Sequence, residues 1–403
     1  MNRQTAGKSI LIIIEALILC VVLILGILSG LSALGNGAQT DTNNPQISVG
    51  DDSEAEDSGN DGVIEYVEVR LSFSEDIEAK IAAMTTEEKV AQLFVISPEK
   101  LTGVDPVTMA GNGTRTALWK YPVGGIVYSG KNFMGSEQTK QLLSNAQGYS
   151  MERIGLPLLT AVEEEGGIDH SPLASANLYT ITSSSGELGN YGDTEMVSSV
   201  VASRMAYLTE DGFNMVLGPM ANLAQGEDAA WDERTYGRDG AIAAEFIAAD
   251  VSSTNANNVA SVLRYFPKAG DASELTREEL SVFQAGIDAG AKMIMVSNGK
   301  AESLTGDAAL PCTLAAGTVT KLRGGMGFEG VLITASMSEE RITSGYASGD
   351  AAVKAIVAGM DMIYEPADFA EAYDAVVAAV NDGTISQMRL ENAVGRVLKM
   401  KME

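Results

Sequence analysis

Short β-branched and leucine-rich runs recur along the chain with amphipathic helical patterns between them, and this alternation narrows the choice of fold more than any other feature. The strand-like runs are Gly124–Tyr128, Leu156–Val162, Phe213–Leu217, Met293–Val296 and Val331–Thr334. Helical periodicity fills Asp193–Asp211, Gly240–Asn255, Arg277–Ala289 and Ser348–Met360. Glu78 to Val95 reads as helix then strand, and Thr85-Thr86-Glu87-Glu88 carries a helix-starting cap with acids in the first turn. A final helix over Ser386–Met400 places Arg396 and Lys399 near its carboxyl end, where they complement the helix dipole. Apolar runs this short and continuous are strands covered on both faces. Strands and helices that alternate over roughly 330 residues predict a parallel α/β domain, and a TIM-type (β/α)8 barrel over residues 74–403 fits that length.

In such a barrel, whatever follows a strand stands at the carboxyl face, where chemistry is done. The Val331–Thr334 run delivers Ala335 there, a side chain with no acid, base or nucleophile. The chain's 403 residues carry a formal net charge of -27. That charge argues against nucleic acid as a partner. The single histidine, His170, excludes any site built on two histidines of one chain. Two cysteines, Cys20 and Cys312, provide neither a disulfide framework nor a usual metal-site spacing. No metal and no cofactor is expected.

The amino terminus is of a different character. Residues 9–34 are almost entirely apolar, longer than the roughly 20 residues needed to cross a bilayer core. Arg3 and Lys8 precede the run, and no basic residue follows it until Arg70. The expected layout is a cytoplasmic tail over 1–8, one transmembrane helix over 9–34 and an acidic flexible linker over 35–73, with the barrel outside the cell membrane. A cleaved signal peptide is the alternative, although its apolar region is normally about 7–15 residues.

Several stretches together carry a resemblance. They include Met84–Phe94, Val123–Tyr128, Ile154–Gly167, Glu233–Gly237, Arg264–Pro267, Ala289–Ser297, Leu310–Leu314, Met326–Thr334 and Ala358–Met362. In this order they resemble the amino-terminal barrel of family 3 glycoside hydrolases, and among them the bacterial β-N-acetylhexosaminidases. The resemblance implies a retaining glycosidase, with an aspartate nucleophile directly after the threonine or serine that ends the strand at 331–334 and a histidine acid/base on a nearby loop. The nucleophile position is Ala335. The histidine loop is missing, because Arg264-Tyr265-Phe266-Pro267-Lys268-Ala269-Gly270-Asp271 runs almost directly into the next helix.

The positions that grip sugar in the family fall on Glu163, Arg234 and Arg264. Tyr265, Asp271, Asn298 and His170 are further cavity candidates, and Trp231 is an aromatic that could stack on a sugar ring. Glu163, Glu164 and Glu165 offer carboxylates at the barrel mouth. The expected role is that of a membrane-anchored relative that has lost its catalytic residues and binds cell-wall glycan, an amino sugar, or an envelope or membrane protein. An active glycosidase with relocated groups and a scaffold without sugar binding are the alternatives.

Overall fold

The computed structural model describes residues 68–403 except 168, 192 and 225–232. The chain divides into two units, Met1–Val49 and Gly50–Glu403, and the described residues all belong to the second. The expected tail and anchor (1–34), most of the linker, Ile168, Trp231 and Asp232 lie outside the described residues. Among the described residues no helix is long and apolar enough to cross a membrane.

Eight parallel strands form the centre: β1 (Phe94–Ile96), β2 (Gly125–Tyr128), β3 (Leu159–Val162), β4 (Met215–Val216), β5 (Ala260–Phe266), β6 (Met293–Val296), β7 (Val331–Thr334) and β8 (Ile363–Tyr364). Their order is β7-β6-β5-β4-β3-β2-β1-β8. The two end strands meet. Ile333 bridges Met362, the Thr334 N–H donates to the Met362 carbonyl (3.1 Å), and the Met337 N–H donates to Tyr364 (2.9 Å). The sheet thereby curls into the expected barrel. β5 and β8 are not evident from the sequence, for physical reasons. Ser261 and Arg264 interrupt the apolar run of β5, and β8 is two residues flanked by Asp361 and Glu365-Pro366.

Period-two alternation sorts every strand. Val95, Val127, Leu159, Ala161, Met215, Val262, Met293, Met295, Val331 and Ile333 pack together inside the barrel. Their chain neighbours, such as Phe94, Ile126, Val162, Leu263, Ile294 and Leu332, face the helices. The final helix, Gln387–Met402, brings Val397 and Met400 against the same interior cluster. The Phe73 ring lies directly over Gly395 of this helix, where an added Cβ would stand 2.1 Å from it and would displace the ring. The segment before the first helix also packs on this final helix: Asn392 accepts from the Leu71 N–H (2.9 Å), and Glu68 pairs with Arg389 (2.9 Å).

The β7–β8 seam rests on Asp361, which is fully buried. Its carboxylate meets Arg323 (2.6 Å), Arg396 (2.9 Å) and Arg389 (3.1 Å) and also accepts the Leu332 N–H of β7 (2.9 Å). Burial opposes its ionisation, but the three guanidiniums and that N–H outweigh it and hold the carboxyl below its usual range. A depressed folded-state value means that the stabilisation is complete above the unfolded carboxyl's pKa and lost as pH falls through the folded one. Asp361→Asn should cost about 3–5 kcal/mol in urea unfolding at neutral pH. The loss should shrink on acidification, as the wild-type group protonates. A variant within 1 kcal/mol of wild type (a difference of about fivefold in the folding constant) would show that the cluster does not hold the seam.

Candidate functional site at the barrel mouth

The same alternation carries the interior face beyond the carboxyl ends of the strands. After Leu159 and Ala161 come Glu163 and Glu165, after Ala260 and Val262 comes Arg264, and after Val331 and Ile333 comes Ala335. Glu164 points the other way. There it is buried and accepts from the Tyr207 hydroxyl (3.2 Å), and burial raises its pKa.

Glu163, Glu165, Arg234 and Arg264 form a closed ring of alternating charge. One Glu163 oxygen accepts from Arg234 Nη2 and Arg264 Nη2, both at 2.8 Å. Glu165 accepts from Arg264 Nη2 (2.6 Å) on one oxygen and from Arg234 Nε (2.7 Å) on the other. Arg264 is the largest fully buried side chain among the described residues. Burial works against its charge, but Glu165, Tyr265 and Glu163 outweigh that and raise its pKa further. Burial likewise opposes the charge of Glu163, and Arg264 and Arg234 reverse the effect, holding the acid below its usual range. Glu163, Glu165 and His170 bring ligand atoms within 4.8 Å of one another. Two guanidiniums already occupy the space between the carboxylates, so a metal ion there would face like charge.

A cavity of about 580 Å³ opens beside this ring. Ser97, Ser129, Tyr128 and Tyr364 line it, together with Glu163, Arg234 and His170. Its volume is that of an ordinary small-molecule site. Ala335 is not on its wall. Ala335 is 2% exposed and belongs to the interior cluster, against which Tyr265 and Tyr364 also pack.

The other candidates are placed as follows. Tyr265 lies beside the Arg264 guanidinium, 5.4 Å from carbon to ring centre, and its N–H donates to Asn222 (3.0 Å). Asn298 is buried away from the cavity and ties the Ser336 carbonyl (2.8 Å) to the Thr313 hydroxyl (2.8 Å). Asp271 is an exposed loop residue paired with Arg341, and the Lys300 N–H (3.0 Å) leads in lowering its pKa. Glu165 is the partner that the family motifs do not single out. Its signal lies in the alternation, because residues 163 and 165 must share a face if the strand direction continues.

A parallel eight-stranded barrel with a charged, polar cavity at the carboxyl ends of its strands has the layout of a barrel enzyme's active-site face. Residues 85–400 match the glycosyl hydrolase family 3 N terminal domain, and the chain belongs to that family. Similar curated proteins include a β-N-acetylglucosaminidase/β-glucosidase of Cellulomonas fimi, 24% identical over 81% of this chain and 59% of that protein. The chain therefore spans somewhat over half of that relative's length. Among solved structures, a family 3 β-N-acetylglucosaminidase from Paenibacillus has a TM-score of 0.70 at 26% identity, covering 79% of this chain and 62% of that one. A β-N-acetylhexosaminidase from Beutenbergia cavernae has a TM-score of 0.69 at 25% identity, covering 79% and 99%.

The two glutamates of the ring should separate by burial. The Glu165 side chain is 3% exposed and that of Glu163 is 41%. Glu165→Gln should cost about 3 kcal/mol or more, because it strands buried arginine charge. Glu163→Gln should cost less than about 1 kcal/mol, because solvent screens its pairs. Denaturant titration of both variants checks the order, and equal losses would mean that the ring does not act as described.

Proposed function

We propose that this protein is a catalytically inactive family 3 barrel, held at the outer face of a membrane by residues 9–34, whose mouth binds an amino-sugar glycan of the cell envelope. One observation carries the reading: the strand end at which the resemblance requires a nucleophilic carboxylate presents the buried methyl of Ala335. A retaining glycosidase needs that carboxylate and an acid about 5–5.5 Å away across the scissile bond. The nearby glutamates do not substitute for them. Both oxygens of Glu165 are taken up by guanidiniums, and Glu163, held below its usual range, has no proton to give at neutral pH. The missing histidine loop adds a second, independent loss.

Binding is supported by what remains. The cavity presents tyrosine rings beside carboxylate, guanidinium and hydroxyl groups, a combination suited to the apolar faces and hydroxyl edges of sugars. Membrane attachment is supported by the length of the apolar run and by the basic residues that precede it.

The full chain in mild detergent should show no turnover of a chromogenic N-acetylglucosaminide, and Ala335→Asp should stay inactive for want of an acid/base. Amino-sugar oligosaccharides should raise Tm, and Glu163→Gln should weaken their binding about tenfold, the worth of one hydrogen bond to a charged group. Turnover abolished by a substitution at Glu163 would refute the inactive reading. Absence of any response to amino sugars, together with a co-purifying envelope protein, would favour a scaffold. Deleting residues 9–34 should release the protein from the membrane fraction, and retention there would refute the anchor.

A further inference from the structure

The three most exposed large apolar side chains among the described residues are Met134 (74%), Met109 (72%) and Val104 (58%). They are not scattered. Val104 and Met109 stand in the loop 103–111, which leads on from the helix Pro98–Thr102 after β1, and Met134 follows the turn Gly130–Asn132 after β2. β1 and β2 are paired neighbours, and both segments follow their carboxyl ends, so all three side chains stand on one sector of the mouth's rim. Polar bonds hold the two loops together. Asn132 Nδ2 donates to the Val107 carbonyl (2.9 Å). Gln138 accepts the Met134 N–H on Oε1 (2.8 Å), and its Nε2 donates to the Thr108 carbonyl, in the peptide that carries the Met109 N–H. One amide side chain thus sets the backbone of Met134 beside that of Met109. Lys131 connects this sector to the cavity. It lines the cavity wall, and its ammonium pairs with Asp105 (2.9 Å), the chain neighbour of Val104.

We infer that these residues form an aliphatic subsite continuous with the cavity. The sugar held there carries a saturated hydrocarbon chain, which leaves the cavity past Lys131 and lies on Val104, Met109 and Met134. The inference rests on the sugar-binding reading above and specifies its ligand. Apolar side chains grouped in water beside a cavity mark a binding surface. Methionine suits a flexible aliphatic occupant, because its unbranched thioether adapts to what lies on it. The Lys131 stem offers methylenes along the path while its charge stays on Asp105. Three side chains fall far short of the roughly 800 Å² per partner that a standard protein interface buries, so a group attached to the cavity's own ligand fits better than a protein. None of the three carries a ring, and an aromatic substituent would therefore forgo the stacking that favours it elsewhere.

The test is calorimetric titration of the full chain in lipid nanodiscs, with empty discs as the blank. The probes are the methyl, hexyl and phenyl β-N-acetylglucosaminides and 1-hexanol. The hexyl glycoside should bind at least about tenfold more tightly than the methyl glycoside, because its added methylenes leave water, and more tightly than the phenyl glycoside. The double variant Met109→Ser, Met134→Ser changes only exposed side chains, and an unchanged Tm checks that it folds. It should lower the affinity for the hexyl glycoside to that for the methyl one and leave the latter as it was. Equal binding of the methyl and hexyl glycosides, a preference for phenyl over hexyl, or a hexyl preference that survives in the double variant would overturn the aliphatic subsite and leave the sugar-binding reading standing. Hexanol bound as tightly as the hexyl glycoside, or no binding of any glycoside, would overturn both.

Discussion

The barrel depends on one buried carboxylate. A parallel sheet becomes a barrel only when its last strand pairs with its neighbour across the seam, and here that strand is two residues long. Two residues of ladder are a weak fastening. Asp361 compensates by joining the Leu332 N–H of β7 to arginines from the Lys321–Gly325 turn and the final helix. The same helix places Val397 and Met400 against the interior cluster. The β7–β8 seam and the carboxy-terminal helix are therefore joined through one side chain.

At the opposite end of the interior, the ring of Glu163, Glu165, Arg234 and Arg264 solves a different problem. It keeps four charges at the edge of a low-dielectric core by alternating their signs. That solution has a chemical consequence. Carboxylates committed to guanidiniums are poor proton donors and blunted nucleophiles, so Glu163 and Glu165 serve the ring as charge partners. Around it lies a cavity lined by serine, tyrosine, carboxylate and guanidinium groups.

The strands at 125–128, 293–296 and 331–334 are legible in the sequence because a short, continuous apolar run between helical patterns has only a two-sided burial to go to. The helices from 194, 240, 277 and 348 are legible from amphipathic periodicity. β5 and β8 are not, because strand segments that end at a functional or charged cluster carry Arg264 or Asp361 where the pattern wants an apolar residue. At the site, Glu163, Arg234 and Arg264 emerge from the family motifs, and the structure brings all three together. Asn298 and Asp271 come from the same motifs, and the structure gives them hydrogen bonds elsewhere.

By itself the sequence determined the barrel, its family and the residue that follows β7, because these depend on local periodicity and on residue identity at fixed positions along the chain. It could not determine which charges meet. Glu163 lies 71 residues from Arg234 and 101 from Arg264, and Glu165 lies 99 from Arg264. Only closure of the sheet sets those distances. Whether a carboxylate is an acid, a ligand contact or half of an ion pair depends on what stands within about 4 Å of it, where Coulomb energy in a partly buried site changes by kilocalories per ångström. That neighbourhood belongs to the tertiary structure.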